Sequence, residues 1–293
     1  MSTTLPTPIT LNLVTDFLKP RPRDSHKGLF GTVLVIGGAT GMVGAPLLAA
    51  RAALKLGAGC VHVGLLAEEA PAVDQVQPEL MLHRMRDMLL PSPFAQNLSR
   101  VNSVIAMGGG LGESKAAIKI MFDVLRLNIT LVLDADALNL LSRRTDLQDD
   151  LRARAAATLI TPHPAEAARL LDISTEKVQA ARAEAAQRLA QQLHCSVVLK
   201  GADSLCVTRD GSIFLNQTGN PGMSAPGMGD ALSGMIAALI AQGLEPDQAL
   251  LLAVHLHGAA GDALAEQGIA VGMTATEVTE RARLLLNQWR TRQ

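Results

Sequence analysis

Short runs of β-branched and aliphatic residues alternate along the chain with longer stretches in which alanine and leucine recur at helical spacing. TVLVIG, Thr32 to Gly37, is uniformly apolar and stopped by a glycine pair, which predicts a strand buried on both faces. GAPLLAARAALKLG follows with helical periodicity and ends at Gly57, a natural helix stop. CVHVGLL, SVIAMGGG, TLVLDAD, ATLITPHP and SVVLKGA repeat the strand pattern, each ending in a small or polar cluster. Helical stretches lie between them, most clearly Thr175 to Gln192, while the proline-punctuated region Glu68 to Leu98 predicts irregular structure or a short helix.

The pattern changes after Lys200. SLCVTRDGSIFLN predicts two strands around an Asp-Gly turn, and three helices follow at about 228–242, 246–266 and 274–290. Strand–helix alternation predicts an α/β fold with a central, mostly parallel sheet flanked by helices on both faces. No repeat or composition break divides the chain, so residues 1–293 are expected to form a single domain. Ligands of such sheets bind beyond the carboxyl ends of the strands. Nearly every unusual cluster falls there: GGATG, GGGLG, DADALN, TPHPAE and KGADS.

Composition narrows the partners. The net charge is −1 and no basic run stands out, which argues against nucleic acid and anionic membrane. No tyrosine, one tryptophan and five phenylalanines leave little for a base-stacking platform. Cys60, Cys195 and Cys206 have no paired spacing, as expected in a reducing cytoplasm. The N-terminus lacks the basic-then-apolar layout of a signal peptide. The uncharged window Gly28 to Ala50 is long enough to suggest a membrane span, but its glycines read as a strand stopping in a turn.

The candidate chemistry sits in the strand-end clusters. In SAPGMGDALSG, Asp230 stands at a helix start behind glycines. It is either a helix cap or a base beside an anion hole made by the N–H groups of Gly227, Met228 and Gly229. GGATGMVGA and GGGLG offer a backbone cradle or tight turns; neither matches G-x-G-x-x-G, and no Walker A loop exists. Asp134 and Asp136 could hold Mg²⁺, although a helix cap is the favoured reading of Asp136. His163, between two prolines, is a ligand contact or a loop histidine. His255 and His257, two apart on one helix, read as core or surface residues. Lys200, beside Gly201, could meet a diphosphate as a point charge. Together these groups suit nucleotide-dependent phosphoryl transfer, which favours Asp230 as a base.

HKGLFGTVLVIGGATGMVGA, MGGGLG, LVLDADALNLL, LITPHPAEAARLL, VVLKGADS, NPGMSAPGMGDALSGMIAALIAQG and HLHGAAGDALA, in that order, closely resemble the NAD(P)H-hydrate dehydratase family of the ribokinase-like superfamily. The resemblance covers nearly the whole chain. It implies repair of NADH or NADPH hydrated on its reduced ring, with ADP as phosphoryl donor, Mg²⁺ as cofactor, and AMP and phosphate released. By motif position Ala45, Gly110, His163 and Asp230 would contact the hydrate. Lys200, Gly201, Ala202, Asp203, Ser204 and Gly229 would contact the adenine nucleotide, and Glu166 would be the Mg²⁺-associated acid. A separate epimerase is the implied functional partner, since no N-terminal epimerase domain is expected here. Family members are often tetrameric, so a homo-oligomer is expected.

The sequence departs from the family pattern in places. Met228 replaces the threonine of G-T-G-D, Gly109 the proline of G-P-G-L-G, and Met42 an aromatic residue. Lower phosphate affinity is the expected consequence. The other readings are a hydroxymethylpyrimidine or hydroxyethylthiazole kinase of the same fold, and an idle nucleotide-binding module.

Overall fold

Ten strands form a single sheet in the computed structural model, which describes residues 5–85 and 102–291. They are β1 (Thr7–Pro8), β2 (Thr32–Gly37), β3 (Cys60–Leu65), β4 (Met81–Arg84) and β5 (Ser103–Met107). β6 (Thr130–Leu133), β7 (Thr158–Ile160), β8 (Ser196–Leu199), β9 (Ser204–Val207) and β10 (Ile213–Asn216) complete it. Their spatial order is β1-β10-β9-β8-β7-β6-β5-β2-β3-β4. All neighbours run parallel except β9, which is antiparallel to both β8 and β10.

The described helices in chain order are α1 (Leu11–Thr15), α2 (Gly44–Lys55), α3 (Lys115–Leu125), α4 (Ala135–Arg143) and α5 (Thr145–Arg152). They continue as α6 (Pro164–Leu171), α7 (Thr175–Ala180), α8 (Arg182–Leu193), α9 (Met228–Ala241), α10 (Pro246–Ala265) and α11 (Ala275–Arg290). Side-chain alternation along the strands feeds two cores. Val33, Val35, Val61, Val63, Val104, Ala106 and Val132 pack against α1, α2, α9, α10 and α11. Leu34, Ile36, Ile105, Met107, Leu131 and Leu133 pack against α3 to α8. A buried leucine or isoleucine contributes about 1.5–3 kcal/mol, so strands apolar on both faces need helices on both faces.

The fold class expected from the sequence is the one observed, with two differences of detail. Thr175 to Gln192 is not one helix: Ala181, at φ −141° and ψ 54°, breaks it into α7 and α8. Beyond the break, the Arg182 guanidinium reaches the carbonyls of Leu199, Lys200 and Asp203 at 3.3–3.4 Å, pinning α8 to the turn after β8. The region read as irregular contains β4, whose backbone pairs with β3 at the sheet edge. The rest of that region, from residue 86, lies outside the described residues. The uncharged window is a strand followed by a helix, and among the described residues no helix is long and apolar enough to cross a membrane.

Candidate active site

Beyond the carboxyl ends of the parallel strands, GGATG and GGGLG lie against each other. Gly38 N–H donates to Gly109 O at 3.3 Å and Ala39 N–H to Gly110 O at 2.6 Å. Gly109 is small for a reason: a Cβ there would overlap Asp230 Oδ1 and stand 3.3 Å from the Ala45 methyl. Ala45, Gly110 and Asp230, expected together around one ligand, are thus brought to one place.

Asp230 does not cap its helix. The cap position of α9 belongs to Gly227, whose φ of 87° suits glycine and which has no side chain to offer. The first helical bond runs from Ala231 N–H to Gly227 O. The N–H groups of Met228, Gly229 and Asp230 therefore lack a helical acceptor and face the open end, as an anion hole requires. Among the described residues the Asp230 carboxylate accepts no hydrogen bond and joins no ion pair. Burial, first, and the nearby Asp134 and Asp136 carboxylates push it up to about 7, against a smaller pull from Lys200.

Asp134 has the opposite surroundings. Its Oδ1 accepts from Lys200 Nζ at 2.7 Å and its Oδ2 from Ser233 Oγ at 3.2 Å, with 6% of the side chain exposed. A Cβ on Gly229 would sit 3.1 Å from both Asp134 Oδ2 and Lys200 Nζ, so that glycine lets α9 approach the pair. Burial opposes the Lys200 charge, but Asp134, Glu166 and Asp230 outweigh it and raise its pKa. Lys200 N–H also bonds Pro162 O at 2.9 Å, tying the KGADS turn to TPHP.

His163 is the N-cap of α6. Its Nδ1 accepts from the N–H groups of Ala165 and Glu166 at 3.1 and 3.3 Å. The ring proton therefore sits on Nε2, 3.3 Å from Glu166 Oε1, while Glu166 Oε2 accepts from His163 N–H at 2.8 Å. Burial and the Lys200 and Arg169 charges hold the imidazole below its usual pKa. Glu166, 4.0 Å from Lys200 Nζ, is pushed up by burial, with Lys200 pulling the other way. The cap expected of Asp136 is not made. Its Oδ2 accepts from Gly112 N–H at 2.8 Å and its Oδ1 from Asn139 Nδ2 at 3.3 Å, so it holds GGGLG to α4.

An open cleft of about 460 Å³ adjoins this centre, lined by Lys200, Gly201, Ala202, Asp203, Ser204, Met228 and Gly229. The KGADS residues and the start of α9 thus share one cavity. Its far wall was not foreseen: residues 216–221, Met223, Leu232, Val254, His257 and Gly258. His257 is neither plain core nor surface. It lines the cleft, its Nε2 is buried without a partner among the described residues, and burial followed by the Lys200 charge lowers it to about 4. His255 is buried beside Trp289. The missed wall did have a signal. In HLHGAAGD, Gly258 leaves room for Thr218, and Asp262 accepts from Gly219 N–H at 2.8 Å and Asn220 Nδ2 at 3.0 Å. Gly258 and Asp262, four residues apart, lie on the helix face that receives this loop.

The chain matches known proteins over almost all its length. The family model described as NAD(P)H-hydrate dehydratase matches residues 33–283. An ADP-dependent (S)-NAD(P)H-hydrate dehydratase of Neisseria meningitidis is 42% identical over 277 residues, covering 92% of this chain and 90% of that one. A bifunctional NAD(P)H-hydrate repair enzyme of Coxiella burnetii is 40% identical over 92% of this chain, which spans 53% of the relative's length. The crystal structure of the Bacillus subtilis ADP/ATP-dependent NAD(P)H-hydrate dehydratase, co-crystallised with ATP and Mg²⁺, superposes with a TM-score of 0.85 at 30% identity, covering 98% of this chain and all of that one. The ribokinase-like layout holds as well, since another structural neighbour carries that superfamily name.

Proposed function

Because the chain belongs to the NAD(P)H-hydrate dehydratase family, we propose that it repairs the S form of hydrated NADH or NADPH, using ADP and releasing AMP and phosphate. The observation that carries the chemistry is Asp230: a carboxylate that accepts no hydrogen bond among the described residues, beside the uncapped N-terminus of α9 and next to the nucleotide cleft. With its proton affinity near neutral, it can take the proton of the ring hydroxyl as the oxygen attacks the terminal phosphoryl of ADP. The N–H groups at Met228 and Gly229 and the Lys200 ammonium stabilise the charge on that phosphoryl. The O–P bond to AMP breaks and a phosphate ester forms. The ring nitrogen's lone pair then expels phosphate, and loss of a proton from the neighbouring carbon restores the ring double bond.

The positions of the other residues support their roles in this reading. Ala45, Gly110 and His163 would bound the hydrate, and Lys200 to Ser204 with Gly229 the nucleotide. Asp134 keeps Lys200 charged and aimed at the phosphates. Met228 brings no hydroxyl, so the hole relies on backbone donors. Mg²⁺ arriving on the nucleotide phosphates fits this donor set: Asp134, Asp230 and Glu166 crowd one lysine, and among the described residues no group of three ligating side chains makes a ready cage. When bound, Mg²⁺ would be held by the nucleotide phosphates with Glu166 beside it, and would offset the phosphate charge. A cytoplasmic enzyme assembled as a homo-oligomer, with an epimerase supplying the S form, completes the reading.

The test is to offer hydrated NADH with ADP and Mg²⁺ and follow the dihydronicotinamide absorbance. One AMP and one free phosphate should appear per dinucleotide repaired, and the product should again serve a dehydrogenase. A phosphoryl group left on an organic product, with the hydrate unrepaired, would assign the site to a small-alcohol kinase instead.

A further inference from the structure

A second cavity of about 360 Å³ lies at the opposite end of β8 and β9, lined by Arg152, Arg154, Gln187, Gln191, His194 and Arg209 together with Ala190, Val207, Thr208 and Gly211. The four residues of β9 separate it from the KGADS turn, a strand length of about 10–14 Å. Three arginines and a histidine contribute to its wall, and no carboxylate does.

The donors divide into two sets. Arg154 is spent on the fold: its guanidinium donates to Leu127 O at 2.8 Å, to Thr158 Oγ1 at 3.0 Å, and to the carbonyls of Val124, Leu125 and Ile129. All those acceptors are neutral, so among the described residues its positive charge has no counter-ion. Arg152 is held by Asp149 and by Gln192 O. By contrast, the Arg209 guanidinium, the His194 ring and the Gln187 and Gln191 amides have no side-chain partner among the described residues. The nearby carboxylates are already engaged. Asp210 accepts from Thr208 Oγ1 and Ser212 N–H, and Asp247 from Ser196 Oγ and Arg209 N–H. A concave wall of one sign concentrates anions, and a free guanidinium fork suits phosphate or carboxylate oxygens. No phenylalanine, tyrosine or tryptophan among the described residues lines the cavity to stack on a nucleotide base.

We propose that this cleft is a binding site for a compact polyanion, a diphosphate or a small polycarboxylate, separate from the catalytic centre and engaged chiefly by Arg209 and His194. The proposal does not depend on the repair reaction. It is tested by calorimetric titration of pyrophosphate, and in parallel citrate, into protein whose nucleotide cleft is saturated with a non-hydrolysable ATP analogue. One equivalent of at least one anion should still bind, more weakly at higher ionic strength, and the tighter of the two identifies the ligand class. Losing a hydrogen bond to a charged group corresponds to about a tenfold or greater loss of affinity. Arg209→Ala is expected to show that loss and His194→Ala a smaller one, with the melting temperature and the repair rate unchanged in both. Disappearance of the signal once the nucleotide cleft is full, or equal binding by both variants and the parent protein, overturns the proposal.

Discussion

Around Asp230 the chain touches itself, whereas around Ala202 it stands apart. On the first side GGATG, GGGLG and the start of α9 leave a void of only about 10 Å³ among Asp134, Asp230, Ser233 and their neighbours. On the second side the cleft holds about 460 Å³, with its walls drawn from the β9–β10 hairpin, the 216–221 loop and α10. The packed side fixes charges, which is what proton and phosphoryl transfer require. The open side leaves room for a ligand the size of a nucleotide. Division of labour between them is the property to break.

The largest expected effect is on the packed side. Asp230→Asn keeps the shape and removes the base, so repair should slow by about 10²–10⁴-fold while ADP affinity measured by titration stays the same. Near-normal turnover in that variant would remove Asp230 from the reaction.

A change on the open side should do the reverse. A Cβ at Gly258 would overlap Thr218, including its carbonyl. Alanine favours a helix, by up to about 1 kcal/mol over glycine, so any loss comes from the loop and not from α10. Overpacking of this kind costs about 1–3 kcal/mol. ADP affinity in Gly258→Ala is therefore expected to fall by roughly tenfold, with turnover at saturating ADP nearly intact. Unchanged ADP affinity would show that the 216–221 loop takes no part in holding the nucleotide.

His163 lies between the two regions and separates its two roles experimentally. As an N-cap it contributes stability of about 0.5–2 kcal/mol; as a contact it would serve the hydrate. His163→Asn retains a capping side chain, whereas His163→Ala does not. Weakened hydrate binding in both, with stability lost only in the alanine variant and ADP binding spared in both, is the expected pattern. Restoration of hydrate binding by asparagine would reduce His163 to a cap.

What the sequence conveyed divides along the same line. On the packed side Gly109, Asp134, His163 and Lys200 could be found from strand ends, and Asp230 from a helix start led by glycines. Their partners could not. Asp134 and Lys200 are 66 positions apart, and only the β6-β7-β8 order brings them within 2.7 Å. Asp136 looked like a cap because it sits in the first turn of a helix, yet a tertiary donor, Gly112 N–H, takes its carboxylate. On the open side, part of the wall comes from the middle of α10, where His257 and Gly258 carry no local mark of a strand end.

The smallest effect is the most specific. A carboxyl that ionises near 3.8 when unfolded but holds its proton to about 7 when folded binds more protons in the native state between those values. Stability from that group is complete below about pH 4 and is lost as pH rises through 7. The Asp230→Asn variant, whose amide does not titrate, has no such loss. The variant and the parent should therefore melt together below about pH 4, with the variant increasingly the more stable as pH rises to 7 and above. For a domain of about 150–250 residues, each kcal/mol relieved corresponds to about 2–4 °C in melting temperature, and a somewhat smaller shift is expected for this longer chain. The repair rate of the parent should move the other way, falling below pH 7 as Asp230 takes up its proton and ceases to act as a base. The two profiles have one cause: the carboxylate crowding and burial that make Asp230 basic enough to act also make its ionised form costly to fold around. A variant that melts below its parent at every pH would break that link and show that Asp230 carries a structural contact in the folded protein.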